Sequence, residues 1–189
     1  VFEDWWIRHP EIIKSKISAL YGKSKTIFAR KCFVKKITKP EADIFLNENH
    51  IYGTSTSKVR IGLFFENELV AAMTFAAMRK FQTGNSAEIL RYCSKNYTTI
   101  TGGLSKLLKF YMQLYAPQSI MTYTDLDWGN GEAFRRLGFV ETEKRAAVSF
   151  FCNTDSGERI AKKYFRDIDN IAQYVQLTNS GSLKFVANV

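Results

Sequence analysis

Residues 89–111 read ILRYCSKNYTTITGGLSKLLKFY, and a second strand-like run, SIMTYTD, occupies residues 119–125. The first stretch begins as a strand and passes through a polar loop into Gly102-Gly103. It then carries apolar residues at i, i+3, i+4 and i+7, the spacing of an amphipathic helix. Strand, glycine turn, helix and strand in that order form the kind of unit from which an α/β sheet is built. Glycines at such a turn let the backbone approach a ligand, and the orphan N–H groups of the first helical turn point outward, a geometry that suits a pyrophosphate. Gly102, Gly103, Ser105 and Lys106 are therefore the candidate cofactor-binding residues. The alternative is a glycine cap on an ordinary helix.

Working outward, VRIGLFFENELVAAMTFAA (59–77) reads as two apolar strands joined by a tight turn at Glu66-Asn67-Glu68. Thr38-x-x-Glu41 with Pro40 is a helix-start signature, and IFARKCFVKKI (27–37) before it reads as a first strand. IIKSKISAL after Pro10 has helical spacing, with Gly22 placed to stop it. Downstream, EAFRRL reads as a short helix and FVETE as a strand, while AVSFFCN and RIAKKYF are able to pair. DIDNIAQYVQL (167–177) reads as a final helix and SLKFVANV as a last strand. The expected organisation is a basic helical segment over 1–26, an α/β domain over 27–165 and a helix-and-strand extension over 166–189.

Composition sets the class. With 189 residues, 46% of them hydrophobic, and 15 Phe and 9 Tyr, the chain can bury a substantial core. No apolar run reaches the ~20 residues of a membrane-spanning helix. Three cysteines, odd in number and widely spaced, read as reduced core residues, so an intracellular, cytoplasmic protein without a membrane partner is expected. The net charge of +9 is uneven: residues 1–40 hold ten Lys and Arg against three acids, or +7. A clustered basic segment attracts a polyanion, because neutralised phosphates release counterions. DNA is the expected partner, with Lys14, Lys16, Lys23 and Lys25 as the contacts; the alternative is a solvated lysine-rich face.

Period-2 alternation places Tyr123 and Asp125 on one face at the C-terminal end of their strand, where open α/β sheets commonly bind ligands. A carboxylate there can take a proton from an amine or orient a histidine; the alternative is an Asx turn in the corner Asp125–Gly131. His50 ends a helix beside Tyr52 and suits a general base or a metal ligand, or else a helix cap. His9 is the only other histidine, so no zinc signature exists and metal use stays open. Arg91, between Leu90 and Tyr92, can clamp an anion or pair with Asp125 or Glu88. Strand parity sets Glu88 and Arg91 on opposite faces unless a bulge intervenes. Trp128 can stack on a base or pack over the corner.

The glycine-led helix, the following strand and a helix ending in Leu137-Gly138-Phe139 resemble the GNAT-type acetyltransferase fold over about residues 27–153. That resemblance implies a single domain with a mixed, mostly antiparallel sheet flanked by helices, and an acyl-CoA donor. Its usual Arg/Gln-x-x-Gly-x-Gly/Ala loop is altered here: Ile100 replaces the polar lead residue and Ser105 the second small one. Phe134 stands where the family places a tyrosine general acid. These departures predict weak acyl-CoA binding or none. VFEDWW, FARKCFVKKI, FLNENHIYG, IGLFFENELVAAMTF and GGLSKLLKFY resemble the C-terminal part of phage Vsr-like homing endonucleases, which implies a nuclease module upstream. His50 with Tyr52, Arg91 and Tyr123-Thr124-Asp125 resemble elements of the phage protein Mom, which modifies adenine in DNA. The resemblance implies group transfer to a nucleobase amine, with His50, Arg91, Tyr123 and Asp125 as catalytic residues. Two alternatives stay open: a non-catalytic DNA-binding module and an acyl-CoA-dependent N-acetyltransferase.

Overall fold

The structure, a computed structural model, describes residues 2–81, 84–162 and 171–189. The elements run α1 (Glu3–Arg8), α2 (Pro10–Leu20), β1 (Lys25–Phe28), a 3-10 turn (Ala29–Lys31), β2 (Phe33–Lys36) and α3 (Lys39–Asn49). They continue with β3 (Val59–Phe65), β4 (Glu68–Phe75), β5 (Arg79–Phe81), β6 (Gly84–Ser94), β7 (Thr98–Thr101), α4 (Gly103–Tyr115), β8 (Ser119–Asp125) and α5 (Glu132–Arg135). The chain closes with β9 (Val140–Arg145), β10 (Ser149–Asn153), β11 (Arg159–Ala161), β12 (Tyr174–Thr178) and β13 (Ser182–Asn188).

The main sheet has the order β2-β3-β4-β6-β8-β13-β9, with β5 paired to β6. Every pairing in it is antiparallel except β6 with β8. Two helices cover the two faces because the strands are apolar on both. Leu107, Leu108 and Tyr111 of α4 join Ile61, Leu63, Met73 and Phe75 on one side. Ala42 and Phe45 of α3 meet Phe64 and Ala72 on the other. Tyr111 stacks on Phe75 with ring centroids 3.6 Å apart. The Thr38–Glu41 signature forms the expected reciprocal cap: the Glu41 carboxylate accepts the Thr38 N–H at 2.7 Å, and the Glu41 N–H donates to Thr38 Oγ1. Glu66 and Asn67 both adopt positive φ, the two-residue turn a twisted hairpin favours.

Three expectations are corrected. The run 27–37 is not one strand: β1 pairs in parallel with β7, the chain turns at Ala29–Lys31, and β2 then pairs with β3. The last helix is absent from the described part of 167–177, where Tyr174–Thr178 is a strand on β10; residues 167–170 lie outside the described residues. Nor does the C-terminal region merely extend the domain, because β13 sits inside the main sheet between β8 and β9. The N-terminal helices pack on the body as well. Trp5, Ile12 and Ile13 bury against Ile51, with Trp128 alongside, and Arg159 reaches Asp4 at 2.6 Å.

Candidate active site

The site arises where the parallel pair of the main sheet comes apart. β6 and β8 are in register only at Ser86–Ser119, Ala87–Ile120 and Glu88–Met121. Beyond that point the Thr122 hydroxyl donates to the Ile89 carbonyl at 3.3 Å, and the strands part around a cleft of about 670 Å³. β6 also carries a bulge: Thr74 and Phe75 of β4 face Arg91 and Ile89, leaving Leu90 as the extra residue. The bulge reverses strand parity, so Glu88 and Arg91 both line the cleft, which an unbroken strand would forbid.

Of the residues singled out by sequence, His50, Arg91, Tyr123, Asp125, Trp128 and Lys16 converge on this cleft. Asp125 does two things at once. Its Oδ1 accepts the Asp127 N–H at 2.9 Å, an Asx turn, while Oδ2 accepts the Tyr52 hydroxyl. Burial and then this hydrogen bond raise the Tyr52 phenol well above its ordinary range, so it stays protonated. His50 Nδ1 accepts the Tyr52 backbone N–H at 3.1 Å, which places the imidazole proton on Nε2. Burial first, then the charges of Arg91 and Lys16, push the ring down to about 3. His50 is thus a neutral N–H donor and a weak base near neutral pH. The Tyr123 hydroxyl accepts from Arg145 at 2.8 Å, and the Arg145 guanidinium lies 4.3 Å from the Tyr123 ring.

The glycine-turn residues lie elsewhere. Gly102, Ser105 and Lys106 line a separate cavity of about 710 Å³ beside Ala29, Arg30 and Phe33. Lys106 Nζ donates to the carbonyls of Ala29 at 2.9 Å and Cys32 at 2.5 Å, tying α4 to the turn after β1. A Cβ on Gly103 would sit 2.8 Å from the Ile100 side chain and 3.1 Å from the Tyr92 hydroxyl, so close packing accounts for that glycine. Thr98–Thr101, just before the glycine turn expected to cradle phosphates, form a strand paired in parallel with β1. Lys14, Lys23 and Lys25 stay on the exposed surface, and Lys14 pairs with Glu11 at 2.9 Å. The sequence reading missed the partnership of Tyr52 with Asp125, for which the nearness of Tyr52 to His50 was a signal, and the place of Arg145, for which there was none.

Comparison with solved structures decides the architecture. The ribosomal-protein-S18-alanine N-acetyltransferase of Escherichia coli matches with a TM-score of 0.56 at 10% identity, over 84% of this chain and 94% of that one. The fold is that of the GNAT acetyltransferases. A GNAT family acetyltransferase from Elizabethkingia anophelis with acetyl-CoA bound gives 0.53 at 11% identity, over 84% and 99%. The spermidine/spermine N-acetyltransferase of Vibrio cholerae, in complex with manganese ions, gives 0.52 at 10%, over 85% and 94%. No protein-family model and no curated protein sequence matches the chain. Among the described residues no group of three or more His, Cys, Asp or Glu is placed to hold a metal ion. No helix among them is long and apolar enough to cross a membrane.

Proposed function

We propose that the protein is a group-transfer enzyme that moves an acyl group from a thioester donor such as acetyl-CoA to an amine within the β6–β8 cleft. The observation that carries this reading is the Tyr52–Asp125 pair at the mouth of the split parallel strands, in a fold shared with N-acetyltransferases. In the reaction the amine nitrogen attacks the thioester carbonyl carbon, a C–N bond forms, the C–S bond breaks and the thiol leaves with a proton. Asp125 keeps a second lone pair on each oxygen and accepts the amine proton, with Tyr52 and the Asp127 N–H fixing its orientation. Neutral His50 offers an N–H to the developing oxyanion. Gly102, Ser105 and Lys106 line a separate cavity, and this reading gives them no contact with the donor.

The test is thiol release from acetyl-CoA with a panel of amines. Asp125→Asn is expected to lower turnover by about 10²-fold or more, and thiol release no faster than in buffer for every amine would sink the reading. A second reading narrows the acceptor to a nucleobase amine in DNA. Its support is the exposed basic surface of Lys23, Lys25, Arg30, Lys31, Lys35 and Lys36. Mass spectrometry of nucleosides from DNA co-expressed with the wild type or with Asp125→Asn tests it: a modified base present in the first and lost in the second is the expected result. Salt-sensitive DNA binding without any modified base would instead favour a non-catalytic module.

A further inference from the structure

Two cations in the cleft form no ion pair among the described residues. Lys16 projects from α2 with its ammonium 4.8 Å from the centroid of the Trp128 ring, and among the described residues no carboxylate lies within ion-pair distance of it. Arg91 projects from the bulge of β6 and donates only to carbonyls, to Gly53 at 3.3 Å and Leu90 at 2.8 Å. Burial lowers the proton affinity of both groups, and both charges bear on the His50 ring between the same walls. Two carboxylates line the same cleft: Asp125 takes the Tyr52 hydroxyl and the Asp127 N–H and bears on Lys16 only from beyond ion-pair distance, and Glu88 forms no ion pair with either cation. A partly dehydrated charge without a partner is costly to a fold, and it persists where a ligand supplies the partner. Removal of such a charge as Lys→Met keeps the packed stem and should not destabilise the chain.

We propose that Lys16 and Arg91 seat an oxyanion of the acceptor, so that the amine acylated in this cleft belongs to a molecule that carries a carboxylate or a phosphate. The seat lies beside Asp125, the proton acceptor, so the anion is close to the reacting nitrogen. The phosphates of a CoA donor are separated from its thioester by the whole pantetheine arm and do not meet this requirement. The N-terminal helix α2 is then part of the substrate site, and Lys16 serves it from inside the cleft. This proposal rests on the amine-acylation reading of the same site, and its test is read first by binding.

The chain has two histidines, His9 and His50, so the imidazole resonances are few and a His50→Gln spectrum assigns them. Acetate and inorganic phosphate are titrated separately, and the arm that saturates identifies the anion as carboxylate or phosphate. The His50 resonance of the wild type is expected to move to saturation. Lys16→Met and Arg91→Met should each need about tenfold more anion, the loss of one charge-assisted hydrogen bond. Thiol release is then compared for glycine, 2-aminoethyl phosphate and ethanolamine; the charged amine favoured by the titration should have the lower KM, and the preference should collapse in Lys16→Met. A His50 resonance unmoved by either anion, or equal titrations in wild type and variants, overturns the proposal. So does a Lys16→Met protein that melts lower and binds the anion as before, because Lys16 would then be a packing residue. Saturable anion binding weakened about tenfold in both variants, with no thiol release from any amine, supports the seat and condemns the acyl-transfer reading alone.

Discussion

Burial of the ring first, and then the charges of Arg91 and Lys16 beside it, disfavour a proton on His50 and push it down to about 3. The native state therefore keeps it neutral while the unfolded chain takes up a proton below about 6.5. The sign follows: stability is full above about pH 6.5 and is lost as pH falls toward 3, at up to about 1.4 kcal/mol per unit. Denaturant titrations at about pH 7.5 and pH 4.5 should show this loss, and His50→Gln should flatten the difference. Asp125 invites a second comparison. Tyr52→Phe removes the donor to Oδ2 and leaves the Asx turn intact, so it should cost only about 1 kcal/mol of stability while lowering turnover. Comparable losses of stability in Tyr52→Phe and Asp125→Asn, with unchanged turnover, would make the pair architectural. Strand parity was enough to read Tyr123 and Asp125 together at the end of β8, where both line the cleft. That its two oxygens divide between turn and cleft was not readable, because the second partner is 73 residues away.

At the scale of elements, the helix α4 was legible from its apolar spacing, but the use of its first turn was not. Local pattern cannot show that Thr98–Thr101 pairs with a strand some seventy residues upstream, nor that Lys106 reaches the carbonyls of Ala29 and Cys32. Lys106→Met is expected to destabilise by about 2 kcal/mol, since two carbonyls lose a charged donor, and to leave donor affinity unchanged. A raised KM for the thioester with normal stability would return Lys106 to a phosphate-binding role. The bulge at Leu90 is equally silent in sequence, and yet it turns Arg91 into the cleft. The corner before α5 makes its own demand. Gly131 has φ +79°, and a Cβ there would lie 2.2 Å from the Phe185 ring. Gly131→Ala should cost more than about 2 kcal/mol by thermal or denaturant unfolding, from strain and overpacking together.

Across the whole molecule, charge and topology separate. The excess of positive charge in residues 1–40 is visible in composition, but its distribution in space is not: Lys16 turns inward, while Lys23, Lys25 and Lys31 face solvent. If the acceptor is DNA, replacing Lys23, Lys25 and Lys31 by Ala should reduce the slope of log K against log salt by about 3, near one for each phosphate no longer neutralised. An unchanged slope would remove this surface from any nucleic-acid role. The α/β class followed from element order, whereas the strand order of the main sheet did not, because β13 enters between two strands made before it. That insertion has a consequence for biosynthesis. While residues 182–188 are still within the ribosome, β8 and β9 cannot be joined, and each presents an unpaired edge. The half of the sheet from β2 to β6 can form as it emerges, but the far wall of the cleft must wait for the last strand. A chain lacking residues 182–188 would expose two open edges to its neighbours, so the arrival of β13 is the step that closes them.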